Sequence, residues 1–471
     1  MIGFFERVYG LNAEGWAIEE QSRDRPIKLY AIDSSQEVVG EGRTQIQRPD
    51  VYNAMGYGLG SGFSIRIKKK CSPGRIRIVD ANGNELPASD DVSAPELFPK
   101  RKTRDYVRPS AEKRLEIPVF IFAPIDWEIR FQRPQQLAVY LSKLGYKVFY
   151  MQPRLGFDPS GTSFDKTNVS ENIFLVRICV KEASSTVLDL RPETSKEILK
   201  NLFQLGEFSS KSIEIIQHPL WHNLIYYNIE KRFSIFDFLD DVSGVKGEHG
   251  MNSLPYQNLL LENCNFVIAS SVKLQRFAYK KNKNVFLAPN GASEIFSSTK
   301  RSLAESRDTA LYVGAVEDWF DFDLVNSVMS DNESLKLIIV GSCSSVYRSK
   351  FQSINRIEFL GEVDHFALPQ VMGRARVGLI PFVNNDFVKT IDAVKKYEYI
   401  MSGLPVVASG LESDLDFEGH FWVENDPKSF GVAVRKAMKM GRYGRIKGKF
   451  LARKKSWPHQ LAIYKEILSA A

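Results

Sequence analysis

Lys395 and Glu398 stand three residues apart in KTIDAVKKYEYIMSGLPVVAS, the segment from Lys389 to Ser409. The segment reads as a helix beginning with lysines and a glutamate, a stop at Ser402-Gly403-Leu404-Pro405, and a short apolar strand. On a helix, residues three apart share a face. A helix N-terminus attracts anions through its unpaired N–H groups, and a lysine there adds to the attraction. A glutamate one turn along accepts hydrogen bonds from sugar hydroxyls. That set suits a nucleotide diphosphate sugar; a solvated helix bearing an ordinary Lys/Glu pair is the competing reading.

The elements that must position these residues follow a regular rhythm. From residue 117, short apolar runs such as Val119–Ala123, Ile213–Gln217 and Phe233–Phe238 alternate with helical stretches, and a second series starts at Leu311–Val313. This alternation predicts two doubly wound parallel sheets, that is, two Rossmann-like halves. Ligands in open α/β sheets bind beyond the carboxyl ends of the strands. That rule selects Asp126, Arg130 and Arg133 after the first strand, with Pro134 opening the next helix. The two guanidiniums suit an acceptor or a phosphate, and an Asp–Arg brace is the alternative. Asp240 and Asp241 follow another strand and could supply a general base, a metal ligand or a helix cap. Gly314 ends the first strand of the second half, where the missing Cβ lets backbone approach a diphosphate.

VKKYEYIMSGLPVV resembles a VKxYEYLAxGxPVV segment of bacterial nucleotide-sugar glycosyltransferases with the two-Rossmann (GT-B) architecture, in the family-4-like group that builds cell-surface polysaccharide. IDWEIRFQRPQQLA at 125–138, FDFLDD at 236–241, APNGA at 288–292 and LYVGAVEDWFDFDLV at 311–325 agree with it in order. The resemblance implies transfer of a sugar from a nucleotide diphosphate donor to a surface glycan or lipid-linked acceptor. It also implies that Glu398 takes the ribose hydroxyls and that Gly361-Glu362-Val363 forms the turn where the base meets backbone groups. Two departures matter. The loop after Gly314 reads Glu317-Asp318-Trp319-Phe320-Asp321, without the Arg and Lys that clamp the diphosphate in many members, so Lys389 and Lys395 are expected to carry that charge. Thr390 stands where the first glutamate of an E-x7-E pattern would fall, which leaves retention or inversion open. An inverting enzyme would use Asp241 or Asp126 as base; a retaining one needs no protein nucleophile.

No metal or other cofactor is expected, because there is no D-x-D of the kind that holds manganese in the other main glycosyltransferase fold, and His218-Pro-Leu-Trp-His222 lacks a third ligand. Residues 1–87 alternate in short runs between Gly, Asn and Pro turns and predict a small all-β sandwich resembling accessory modules of such enzymes. Trp16 or Tyr57 would be its sugar-stacking aromatic, against a core role for Trp16. The expected order is the β module over 1–87, a linker over 88–116, an acceptor half over 117–296 and a donor half over 297–471. Rival readings are a sugar-nucleotide epimerase on the same scaffold and a non-catalytic glycan-binding protein.

Four scattered cysteines and the absence of a signal-like N-terminus predict a reducing, cytoplasmic setting. No apolar run reaches the roughly 18 to 20 residues that span a bilayer. Net charge is +7, with ten Lys/Arg and no Asp or Glu between Arg435 and Lys455. Such a run can hold a protein on an anionic membrane surface, or be a solvated helix face. No zinc-finger spacing or RNP-type aromatic motif accompanies it, so nucleic acid is not an expected partner.

Overall fold

The computed structural model describes residues 1–9, 12–19, 26–44, 61–67, 74–88, 93–94, 117–181, 187, 192–204, 208, 212–221, 224, 233–244, 248–300, 308–351 and 354–470. The chain divides into two units, Met1–Val107 and Arg108–Ala471.

In the first unit the predicted alternation becomes antiparallel strands. β1 (Ile2–Tyr9), β2 (Asn12–Ile18) and β5 (Gly62–Arg66) form one sheet, and β4 (Val38–Arg43), β3 (Lys28–Ile32) and β7 (Arg77–Asp80) form another. β6 (Gly74–Arg75) pairs with β8 (Ser93–Ala94). Phe5, Ala13, Phe63 and Ile65 from the first sheet share one core with Leu29, Ala31, Val39 and Ile78 from the second, which is the construction of a sandwich. Trp16 is half-buried. Tyr57 and most of the 88–116 segment lie outside the described residues.

The second unit carries two sheets. The first runs β11 (Ser163–Ser170), β12 (Ile173–Val180), β10 (Val148–Phe157), β9 (Val119–Phe122), β13 (Ile213–Ile216), β14 (Phe233–Phe238), β15 (Phe266–Ala269), β16 (Val285–Leu287). Every pair is parallel except β11 with β12. Alternate residues of the central strands feed opposite cores: Phe120, Phe122 and Phe149 on one face, Val119, Ile121 and Tyr150 on the other. Burial on both faces explains the continuous apolar runs. β11 is polar and exposed, an edge strand held through its backbone, and sequence periodicity gave no sign of it.

The second sheet is parallel throughout, in the order β19 (Ile357–Gly361), β18 (Lys336–Val340), β17 (Thr309–Val313), β20 (Val377–Pro381), β21 (Val406–Ser409), β22 (Phe421–Val423). Its strands likewise alternate between two cores, Leu311 and Val313 against Ala310 and Tyr312.

The sequence-based boundary at 297 needs one correction. The helices Trp457–Gln460 and Ala462–Ala470 pack Trp457, Leu461, Tyr464, Ile467 and Leu468 into the core of Val119, Ile121 and Leu137, so the chain ends on its first Rossmann-like half. The two crossings between halves lie side by side: Ala292 N–H donates to Lys455 O at 3.0 Å and Trp457 N–H to Ala292 O at 3.2 Å. A Cβ on Gly291 would stand 2.8 Å from Trp457 N, so glycine is required where these segments meet.

Candidate active site

The helix Val394–Met401 is seated by its aromatic residues. Tyr399 Oη accepts from Val313 N–H at 2.7 Å, and its ring lies where a Cβ on Gly378 would be, 2.4 Å from ring carbon. Lys396 is buried between Asp392 and Asp414, each at 2.8 Å. Burial would lower its pKa, but those carboxylates outweigh it and raise the pKa. Asp392 Oδ2 also accepts from Asn290 N–H at 2.6 Å, and Tyr397 Oη donates to the same carboxylate. The helix stops as its sequence indicated: Gly403 adopts φ +80°, and Leu404 N–H donates to Tyr399 O at 2.8 Å.

This scaffold brings Lys395 and Glu398 into an ion pair, with the lysine side chain 19% exposed and the glutamate 1%. The expected division, lysine to phosphate and glutamate to ribose, therefore begins from a pre-formed pair. His365 faces both. Burial is the largest cause lowering its imidazole pKa; Glu398 opposes the shift and Lys395 adds to it. Its Nε2 is buried without a hydrogen-bond partner among the described residues. Lys389 stands apart in the 3-10 turn Val388–Thr390, 3.9 Å from Asp386. Thr390 is buried and donates to Phe387 O at 2.6 Å, a turn-bracing role.

The carboxyl edge of the sheet in the same half is bare backbone. Gly314, Gly341 and Gly361 end or follow β17, β18 and β19, and Gly341 N–H donates to Gly361 O at 2.7 Å. Gly341 has φ +130°, and a Cβ there would lie 2.2 Å from Gly314 O. Gly361 has φ +70° with open space around it, and Val363 beyond it is half-buried. Gly314 and Gly361 thus come together through Gly341. Gly341 was missed, although a glycine directly after the apolar run Leu337–Val340 was the available signal.

On the first half the structure redistributes the assigned roles. Arg133 is not an acceptor or phosphate ligand: it is buried, and its guanidinium donates to Asp237 at 2.7 to 3.1 Å and to Ala288 O at 2.6 Å. Burial would lower its pKa; the Asp237 charge and Tyr464 outweigh that and raise it. Asp126 is buried too, accepting from Arg154 N–H at 3.2 Å and facing the Arg154 guanidinium at 3.5 Å, which braces β9 to β10 rather than freeing a base. Arg130 is exposed on the same loop, close enough to Tyr312 to act on its phenol electrostatically, and Phe131 meets His365 with ring centroids 5.4 Å apart. This loop spans the cleft.

Asp241 Oδ1 accepts from Ser243 N–H at 3.0 Å and Gln257 Nε2 at 2.8 Å, the cap among the alternatives read from sequence. Its neighbour Asp240 opens onto solvent at the carboxyl edge of β14. The protein mass around it pushes the carboxyl up to about 6, against the Arg133 charge and with help from Asp241. His218, at the end of adjacent β13, is driven down to about 4 by burial and is a neutral imidazole at ordinary pH. His222 and the side chain of His249 lie outside the described residues. Among the described residues no group of three His, Cys, Asp or Glu is arranged to hold a metal ion.

The family model described as glycosyl transferases group 1 matches residues 307–440. The six-stranded half carrying Gly314, Gly361, Lys395 and Glu398 is therefore a glycosyl transferase group 1 domain. A Bacillus subtilis protein, TuaH, assigned as a teichuronic acid biosynthesis glycosyltransferase, is 22% identical over 197 residues. That alignment covers 38% of this chain and 50% of the relative, so the chain matches about half the length of the curated relative. Among solved structures, sucrose-phosphate synthase from Thermosynechococcus elongatus superposes with a TM-score of 0.59 at 16% identity, over 75% of this chain and all of the other. An Anabaena protein, HepE, solved in complex with UDP and glucose, gives 0.54 at 11% identity over 75% of this chain and all of its own. At these identities the likeness is one of fold, the GT-B pair of Rossmann-like halves.

Proposed function

We propose that this chain is a glycosyltransferase moving a sugar from a nucleoside diphosphate sugar, held by the second half, to a cell-surface glycan or lipid-linked acceptor presented by the first. The observation that carries the reading is the Lys395–Glu398 pair in the same domain as the Gly314, Gly341 and Gly361 edge. A diphosphate needs close backbone approach and a cation, and a ribose needs a carboxylate; all three occur together inside the matched domain. The relative's assignment to teichuronic acid synthesis supports a surface polymer as acceptor.

In this reading the bond from the anomeric carbon to the diphosphate oxygen breaks and an acceptor oxygen takes its place. Lys395 and the N–H groups of the helix Val394–Met401 stabilise the charge that develops on the departing diphosphate. Asp240 receives the acceptor proton, since its raised pKa keeps it basic enough near neutral pH to do so. Asp240 replaces Asp241 and Asp126 as the base because both of those are engaged in bracing. Lysine and helix dipole stand in for a divalent cation, so turnover should persist in chelator. No described helix is long and apolar enough to cross a membrane; a cytoplasmic enzyme resting on the membrane surface fits a lipid-linked acceptor.

The test is incubation with a panel of nucleotide sugars, reading released nucleoside diphosphate with and without acceptor glycan. Acceptor-stimulated release supports the proposal. Interconversion of donor sugars without release would make the protein an epimerase, and no reaction with any donor would leave a binding protein.

A further inference from the structure

Helix Arg442–Arg453 is built the wrong way round for a surface helix. Its buried face is Arg445, Gly448 and Ala452, whereas Tyr443, Ile446 and Phe450 are 83%, 55% and 59% exposed. Surface helices ordinarily turn their large apolar residues to the core and their polar ones to water. At 3.6 residues per turn, 443, 446 and 450 form a stripe roughly opposite 445, 448 and 452. The inward face is anchored without large side chains. Arg445 donates to Arg376 O and Gly403 O, both at 3.0 Å, and a Cβ on Gly448 would lie 2.7 Å from the His420 ring.

Cations flank the apolar stripe on both sides, Arg442 and Arg453 on one, Lys447 and Lys454 on the other, all exposed. Lys454 lies over the Phe450 ring, 4.9 Å from its centroid. Among the described residues Arg442 and Lys447 make no ion pair, and Arg453 faces Glu294 at 3.5 Å in a solvent-exposed pair. By contrast Lys449 donates to Ser297 O at 3.1 Å and Lys455 pairs with Asp416, so these two lysines brace the fold.

We infer that the outward face of helix Arg442–Arg453 is a wedge that docks in the headgroup region of an anionic lipid bilayer. An apolar stripe between rows of Lys and Arg is the composition that lies in a membrane interface, with the rings among acyl chains and the cationic tips reaching up to phosphates. The absence of any Asp or Glu from 435 to 455 favours an anionic surface. It disfavours a second copy of this chain, whose identical face would be repelled. Because the same helix packs on Val394–Met401 through Gly448 and Ile400, docking would hold the donor half at the membrane. This deepens the membrane-surface part of the proposed function, and its test uses no nucleotide sugar, so either can fail alone.

The experiment is sedimentation of the full chain with vesicles of phosphatidylcholine alone or with phosphatidylglycerol. Compared with wild type are Tyr443→Ser/Ile446→Ser/Phe450→Ser, which leaves the charge intact, and Arg442→Gln/Lys447→Gln/Lys454→Gln, which leaves the stripe intact. The expected result is binding to the anionic vesicles alone, weakened at least tenfold in each variant, with unchanged thermal unfolding because every altered side chain is exposed. Full binding by the serine variant would reduce the face to a solvated charge cluster and overturn the wedge. Equal binding to both vesicle types, or a dimer seen by sedimentation velocity in wild type and absent from the serine variant, would overturn the anionic bilayer as its occupant.

Discussion

Replacing Lys395 by Met removes the cation and keeps most of its aliphatic stem. Glu398 is 1% exposed and Lys395 19%, so the pair belongs with buried ion pairs. Taking one partner from such a pair leaves an uncompensated carboxylate and costs about 3 to 5 kcal/mol of stability. Replacing both charges, Lys395→Met with Glu398→Gln, should recover most of that loss, because a pair exchanged for neutral groups of similar shape is often close to neutral. Binding should behave differently. A hydrogen bond to a charged group contributes about 1.5 to 3 kcal/mol, so loss of the lysine should weaken a nucleoside diphosphate by roughly 10- to 150-fold in the single variant and by at least as much in the double. Any loss of nucleoside affinity should appear only in the double variant, where Glu398 is also changed. Calorimetry with UDP, GDP and their nucleosides, alongside thermal unfolding, separates the two effects. A double variant that binds diphosphates as tightly as wild type would make the pair a structural brace, and equal losses for nucleoside and diphosphate in the single variant would remove Lys395 from the phosphate site.

Asp240→Asn should lower acceptor-dependent turnover by at least 100-fold and abolish the rise in rate with pH through about 6, since the base acts ionised; an unchanged pH profile would exclude it as base. The linked stability has a definite sign. A carboxyl whose folded pKa is raised contributes stability that is complete below its unfolded value and lost as pH rises through about 6, so the Asn variant should gain on wild type between about pH 4 and pH 6 in thermal unfolding, by a small amount because solvent reaches the side chain. Arg133→Met should destabilise by about 3 to 5 kcal/mol, leaving Asp237 buried without its partner, while UDP or GDP affinity at a temperature where the protein stays folded is unchanged; a selective loss of nucleotide binding would return Arg133 to the site. Gly341→Ala should abolish diphosphate binding because its Cβ would enter Gly314 O, whereas Gly361→Ala, with open space, should pay only the roughly 1 to 2 kcal/mol of a left-handed backbone.

What was legible in the sequence was local. Lys395 and Glu398 are one helical turn apart, so their spacing alone brings them together. Pro134 at the start of a helix and Gly403 at the end of one are backbone requirements that need no knowledge of the rest of the fold. Arg133 was misread because its partner is remote in sequence: Asp237 lies 104 residues away, and nothing near Arg133 shows that its charge is already taken. The two aspartates after β14 differ for a similar reason. Gln257, from the helix Glu248–Asn263, claims Asp241 and leaves Asp240 to the cleft, although the two acids are neighbours of one type.

Helix Arg442–Arg453 shows the same limit in a charge run. Its basic residues were plain in the sequence, but lysines that brace and lysines that face solvent look alike there; the contacts of Lys449 and Lys455 separate them from Lys447 and Lys454. The apolar stripe is not legible there either, because Tyr443, Ile446 and Phe450 at helical spacing are the same pattern that a core face shows. Small residues at 444, 448 and 452 were the counter-signal, since close packing on a neighbouring helix requires them on the inward side. The next residues, Lys455 to Trp457, form one of the two adjacent crossings between halves, hydrogen-bonded through Ala292. A helix held at a surface would therefore sit immediately beside the backbone crossings that join the halves.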